Sequence, residues 1–184
     1  MERETVGDFM VHISDHATVS EKATLQEAAA SFETDSREKD PRARRIVLIL
    51  DSSGEPVGEI GDLEVLRSLE PGYKAIGDLR STSPSGLNIE FLKSMLRDYN
   101  LWQDPLGALC TKAAGIRVEE LDYRAVSGRF VTVDTPLNEA IHLLVVGQHE
   151  TLLVKGSESG KVVGVLHRRD VFREILERIK ACKL

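Results

Sequence analysis

The sequence LLVKGSESGKVVGVLHRRDVF, residues 152–172, contains two short apolar runs on either side of a glycine-bounded turn. The first run, Leu152 to Val154, has the length and composition of a buried strand, and Val162 to Leu166 would return beside it as a partner strand. Asp170 then opens a helix whose apolar residues have helical spacing, namely Val171, Phe172, Ile175, Leu176 and Ile179. This stretch therefore predicts two strands followed by a helix.

A further amphipathic helix precedes this stretch. Its apolar residues are spaced so that they share one helical face, and they are Leu137, Ala140, Ile141, Leu144 and Val145. Residues 134–136 supply cap and first-turn chemistry, and residues 130–132 provide the opening strand. The complete unit is therefore predicted to run strand, helix, strand, strand, helix.

The same order of elements occurs earlier in the chain. Residues 18–20 correspond to 130–132 at an offset of 112 positions, whereas residues 57–60 correspond to 163–166 at an offset of 106. The first copy therefore has about six extra residues, which we assign to a solvated polar loop at 34–41. An internal repeat of this kind predicts two structural units with the same fold.

The chain divides on this basis into a first motif at 1–71, a connector at 72–116 and a second motif at 117–184. The connector has a turn-rich segment at 81–86 and a helical pattern of Ile89, Leu92, Leu96 and Tyr99, and a short helix is predicted around 106–114. Such helices usually cover the edge of a core. The alternative is a partner-binding helix, for which Trp102 is the natural anchor.

Composition narrows the functional classes for this chain of 184 residues. A net charge of −6 disfavours nucleic acid as a partner, and no apolar run approaches the length that crosses a membrane. Two cysteines, Cys110 and Cys182, fit a reduced cytoplasmic setting. The carboxylates are expected mostly on solvated faces, and no nucleophile elbow, zinc spacing or persuasive Cys-His pair is found. We therefore predict neither an enzyme nor a metal site.

The repeated order of features resembles the CBS (cystathionine-β-synthase-type) domain. In the first copy the resemblance is carried by residues 6–10, 18–20, 25–28 and 46–58, and in the second by 131–140, 152–154 and 160–172. It implies an α/β (α+β) fold in which two β-α-β-β-α motifs pack through their sheets as a pseudo-two-fold module. It also implies a homodimer and a ligand containing adenosine (AMP, ADP, ATP or S-adenosylmethionine) in a cleft between the motifs.

The resemblance also indicates where that ligand would bind. In the family a glycine, two apolar residues, a Thr or Ser, two variable residues and an Asp end the third strand; the Asp meets ribose and the hydroxyl faces phosphate. The second copy reads Gly164 to Asp170 and has His167 in place of the hydroxyl residue. Arg168 and Arg169 lie between them and could hold a phosphate by forked contacts. The nucleotide-binding residues implied are His167, Arg168, Arg169 and Asp170.

Two alternatives stay open at this point. Asp170 would also serve as a helix N-cap without any ligand. The first copy departs further from the family, because Gly61 and Glu64 stand at the hydroxyl and Asp positions, which makes a weaker second site. Since neither copy has the hydroxyl residue, the chain is alternatively a ligand-free module for dimerisation or for docking to an unknown target protein.

Overall fold

The computed structural model describes residues 4–33, 46–76 and 88–182, and its strands form two four-stranded sheets. The strands are β1 (Val11–His12), β2 (Thr18–Ser20), β3 (Val47–Leu50), β4 (Pro56–Ile60), β5 (Arg124–Ala125), β6 (Phe130–Thr132), β7 (Thr151–Lys155) and β8 (Val162–His167). The strand order is β2-β3-β4-β5 in one sheet and β1-β8-β7-β6 in the other. Each sheet combines one parallel pair with two antiparallel pairs.

The helices complete two equivalent units. They are α1 (Leu25–Glu33), α2 (Asp62–Leu69), α3 (Gly72–Ile76), α4 (Ile89–Asp98), α5 (Leu109–Gly115), α6 (Leu137–Val146) and α7 (Arg168–Ala181). Short 3-10 helices occupy Val6–Asp8 and Val118–Glu120 at corresponding places in the two copies. The predicted α/β class with two β-α-β-β-α motifs is therefore confirmed. The predicted loops at 34–41 and 81–86 lie outside the described residues.

The two copies exchange their first short strands. β1 of the first copy pairs with β8, with Val11 opposite Val165, and β5 of the second copy pairs with β4, with Ala125 opposite Gly58. Each sheet therefore contains residues from both copies. The proposed division at residues 71 and 116 stays a prediction, but the sheets themselves do not follow it.

The hydrophobic core follows the same exchange. Val118 and Leu121 of the second copy are buried in the core of the first, and Val6 of the first copy is fully buried in the core of the second. A third cluster joins the two sheets through Leu48, Val126, Leu153 and Val165. The predicted packing of the motifs through their sheets is therefore observed, and neither copy has a core built from its own residues alone.

An ion pair fixes the start of the described chain to the last helix. Arg178 of α7 donates to both carboxylate oxygens of Glu4, at 2.8 and 2.6 Å. This charge-assisted pair lowers the pKa of Glu4 below its ordinary value. Because Val6 lies two residues after Glu4 and enters the second core, the pair supports the exchanged arrangement.

The connector covers the helices of the first copy. α5 packs against α1 and α2, and Trp102 packs against the first core. The Trp102 indole N–H donates to the Tyr73 hydroxyl at 3.0 Å, and its backbone N–H donates to Glu70 at 2.8 Å. Trp102 is therefore engaged within the chain, as expected of a connector that covers the edge of a core.

α4 does not bury the face that its sequence pattern indicates. The predicted apolar positions Ile89, Leu92, Leu96 and Tyr99 are all exposed, whereas Met95 and Leu101 are buried. The helical pattern located the helix correctly, but the apolar positions that define the pattern face solvent.

Three further findings apply to the described part of the chain. No helix in it is long and apolar enough to cross a membrane. No group of three or more His, Cys, Asp or Glu side chains in it is placed to hold a metal ion. Cys110 and Cys182 are both exposed and unbridged.

Candidate functional site

The predicted site residues of the second copy lie where β8 ends and α7 begins. His167 is the last residue of β8, and the Arg168 backbone N–H donates to the Glu150 carbonyl at 2.9 Å. Because α7 begins at Arg168, Asp170 is in the first helical turn. The interpretation of Asp170 as an N-cap is therefore wrong, and its carboxylate is placed where the helix dipole favours an anion.

A histidine pair joins the two copies at this point. The Nε2 atoms of His16 and His167 are 3.1 Å apart, and their rings are nearly parallel, with an interplanar angle of 4°. The buried His16 has its Nδ1 2.9 Å from the Ala17 carbonyl, which only accepts, so Nδ1 carries a proton. When His16 is neutral, its Nε2 therefore accepts a hydrogen bond that the Nε2–H group of His167 donates.

A cavity of about 440 Å³ opens beside this pair, between α6, α7 and the residue that precedes β3. This volume is within the range of small-molecule sites. Its walls are largely apolar, and its lining residues are Ile46, Ile141, Leu144, Val145, Glu150, His167, Arg168, Arg169, Val171, Phe172 and Ile175. Three of the four predicted residues line it, and the two arginines give it a basic end. We call this region the second cleft.

Asp170 is beside the second cleft but does not line it. Its carboxylate contacts Arg173 one turn further along α7, and one oxygen is 3.7 Å from the Arg169 Nε. The Asp170 side chain is 24% exposed. A carboxylate has several lone pairs, so these contacts leave acceptor capacity for a hydroxyl group.

The corresponding place in the first copy, which we call the first cleft, is built differently. The Gly61 backbone N–H donates to Glu64 Oε2 at 2.9 Å, which closes the start of α2. Glu64 Oε1 is 3.3 Å from Arg124 Nε, and Glu64 is only 5% exposed. Both residues of the predicted weaker site are therefore buried, and the Glu64 carboxylate already has partners on both of its oxygens.

Glu64 belongs to a buried cluster of charges drawn from both copies. Glu59 of β4 is fully buried and accepts from Arg129 Nη1 at 2.6 Å and from the Thr151 hydroxyl at 2.5 Å. Arg124 Nη1 is 3.6 Å from Glu59 and 3.4 Å from Glu150. We call Glu59, Glu64, Arg124, Arg129 and Glu150 the carboxylate–arginine cluster. The expectation that the carboxylates lie on solvated faces is wrong for Glu59 and Glu64.

A second, polar cavity of about 360 Å³ lies beside the carboxylate–arginine cluster. It is lined by Tyr123, Arg124, Ala125, Ser127, Arg129, Gln148, His149 and Glu150. Neither Gly61 nor Glu64 lines it. The cavity therefore does not open the predicted weaker site to a ligand.

Sequence reasoning missed His16 and the carboxylate–arginine cluster. The signal for Glu59 was present, because a glutamate occupies the place in an apolar strand that Val165 occupies in the second copy. His16 had no local signal, since its partner lies 151 positions away.

Comparison with known proteins agrees with this architecture. Residues 128–177, which make up most of the second copy, match the family model for the CBS domain. No curated protein matches the chain.

Solved structures share the fold across both copies at low sequence identity. CBSX2, a CBS-pair protein from Arabidopsis thaliana, is 20% identical with a TM-score of 0.58, over 98% of this chain and 100% of its own. The CBSX2 complex with AMP is also 20% identical, with a TM-score of 0.55 over 95% of this chain and 98% of that one. The cytosolic domain of the Mg²⁺ channel MgtE, in complex with ATP, is 16% identical with a TM-score of 0.53, over 94% of this chain and 49% of that one.

Proposed function

We propose that this chain, in which residues 128–177 are a CBS domain and the whole has the fold of a CBS pair, is a regulatory and non-catalytic cytoplasmic module that binds an adenosine-containing ligand in the second cleft. The observation that carries the proposal is the cavity itself. Its lining includes His167 at the end of β8, Arg168 and Arg169 at the start of α7, and an apolar wall. AMP, ADP, ATP and S-adenosylmethionine are the candidate ligands.

The chemistry of the second cleft suits the parts of such a ligand. The positive end of the α7 helix dipole and the two arginines favour a phosphate. The apolar side chains of α6 and α7 suit the faces of an adenine ring, and Asp170 is the acceptor for ribose hydroxyls. The AMP and ATP bound to CBSX2 and MgtE, two proteins of the same fold, support this choice of ligand class.

Calorimetric titration of the purified protein with each of the four ligands tests the function. We expect saturable binding of at least one of them, and bound material absorbing near 260 nm after gel filtration would agree with it. The absence of binding of all four at millimolar concentration would contradict the proposal.

Replacing Asp170 by alanine is expected to weaken ATP binding by roughly 10- to 100-fold, because hydrogen bonds to a charged group contribute about 1.5–3 kcal/mol. Glu177→Ala is the matched control. It removes a carboxylate from the same helix, where the exposed Glu177 pairs with Lys180. Calorimetry of both variants gives the comparison. Equal affinity for the two variants would remove Asp170 from the site.

The exposed face of α6 and α7 favours a second role, in assembly. Six large apolar residues are exposed on these two helices, namely Leu143, Val145, Val146, Phe172, Ile175 and Ile179. The equivalent helices α1 and α2 of the first copy are packed against α5. Apolar patches of this kind mark interaction sites. We therefore assign the homodimer to this face, and docking of a target protein there is the alternative.

Phe172→Glu is expected to convert the homodimer to a monomer, because it places a charge on the exposed apolar face, where Phe172 also borders the second cleft. The matched control is Leu66→Glu, at the equivalent position of the first copy, where the leucine is likewise exposed. Sedimentation or light scattering would measure the masses of the three proteins. A wild-type monomer would favour the docking alternative, and a Leu66→Glu monomer would move the interface to the first copy.

A further inference from the structure

The two clefts differ at structurally equivalent positions. By the strand registers of the two sheets, Glu59 corresponds to Val165, Arg129 to Ala17 and Thr151 to Ile46, at offsets of 106, 112 and 105 positions. The three residues on the side of the second cleft are buried and apolar, and Ile46 lines the open cavity. The three on the side of the first cleft form a hydrogen-bonded ionic group. Equivalent positions are therefore polar beside the first cleft and apolar beside the second cleft.

Arg124 is the residue that closes the first cleft. Its guanidinium group lies between three carboxylates, at 3.3 Å from Glu64, 3.6 Å from Glu59 and 3.4 Å from Glu150. Glu64 stands at the position equivalent to Asp170, where a ribose would bind. Arg124 therefore holds the one side chain of the first cleft that a ligand would need.

The charges of the first cleft also oppose a nucleotide. The carboxylate–arginine cluster contains three carboxylates and two guanidinium groups, and one of the carboxylates, Glu150, also lines the second cleft. The two arginines are already bound to these carboxylates, and Arg129 further donates to the Ala125 carbonyl at 2.8 Å. Among the described residues, a phosphate entering there would find both guanidinium groups already paired with largely buried carboxylates, where charge repulsion is weakly screened.

We propose that Arg124 fills the first cleft in place of a ligand, so that each chain binds one adenosine-type ligand, in the second cleft alone. The stoichiometry rests on the proposed function. The filling of the first cleft rests on the ionic contacts and holds without any ligand.

Titration with ATP tests the stoichiometry. We expect one ATP per chain in the wild-type protein and no binding of wild-type affinity in Asp170→Ala. Two ATP per chain would overturn the inference. No binding to the wild-type protein would instead count against the proposed function.

A double-mutant cycle tests the filling of the cleft without a ligand. Arg124→Met and Glu64→Gln are each expected to lower the Tm by roughly 3–6 °C, and the double variant is expected to lose little more than either single variant. Arg178→Met combined with Glu64→Gln is the control, since Arg178 contacts Glu4 and Glu174 instead. The Tm shifts of Arg178→Met and Glu64→Gln should add in the double variant. Additive shifts for Arg124 and Glu64 would show that Arg124 does not hold Glu64, and would overturn the inference whether or not ATP binds.

Discussion

Glu59→Ala is expected to lower the free energy of unfolding by about 3–5 kcal/mol, which is the usual cost of removing one partner of a buried ion pair. Glu59 is fully buried, and Arg129 is 7% exposed. Without Glu59, the Arg129 guanidinium would keep its bonds to backbone carbonyls of β5 but would lose its closest carboxylate, 2.6 Å away. The loss is large because a guanidinium group that is only 7% exposed would be left without this carboxylate.

Urea denaturation measures this loss, and the second cleft supplies the design of the control. The triple variant Glu59→Val, Arg129→Ala, Thr151→Ile gives the first cleft the residue types that Val165, Ala17 and Ile46 have at the second cleft. It removes all three polar partners together, and we expect it to be more stable than Glu59→Ala, since apolar replacement of a whole buried ion pair is often neutral or stabilising. A loss below about 1 kcal/mol for Glu59→Ala would mean that the cluster is solvated.

The parts of the fold that could be predicted from the sequence are those set by local pattern. The helical spacing of Leu137 to Val145 and of Val171 to Ile179 depends on residues a few positions apart, and both helices are present. The exchange of β1 and β5 left no such pattern. Each of these strands has two residues, which is too short for an alternating period, and each pairs with a strand far away in the chain.

The candidate site also has residues that could be predicted from the sequence and contacts that could not. His167, Arg168 and Arg169 follow one another in the sequence and remain together at one cavity. The contacts of Glu64 depend on Arg124 and on the exchange of β5, so a single copy read alone gives no sign that its carboxylate is already paired. The buried glutamates were missed because carboxylates are seldom buried unless they are paired, and the pairing residues belong to the other copy.

The exchange of β1 makes Gly164 sensitive to the smallest substitution. A Cβ atom at Gly164 would lie 2.6 Å from the Val11 backbone oxygen and 2.9 Å from the Met10 sulfur. This clash can be relieved only if β1 moves away from β8, because the Val11 oxygen belongs to the backbone. We therefore expect Gly164→Ala to lower the free energy of unfolding by about 3 kcal/mol, at the upper end of the usual cost of overpacking.

Gly58→Ala is the matched substitution at the equivalent residue of β4. Its Cβ would lie 2.2 Å from the Tyr123 ring, which is a half-buried side chain able to rotate outwards, so we expect a loss of about 1 kcal/mol. Urea denaturation of the two variants measures the difference, and hydrogen exchange should show faster exchange of the β1 and β8 amides in Gly164→Ala alone. Equal losses, with β1 and β8 still protected, would mean that β1 does not approach Gly164 as closely as the exchanged arrangement requires.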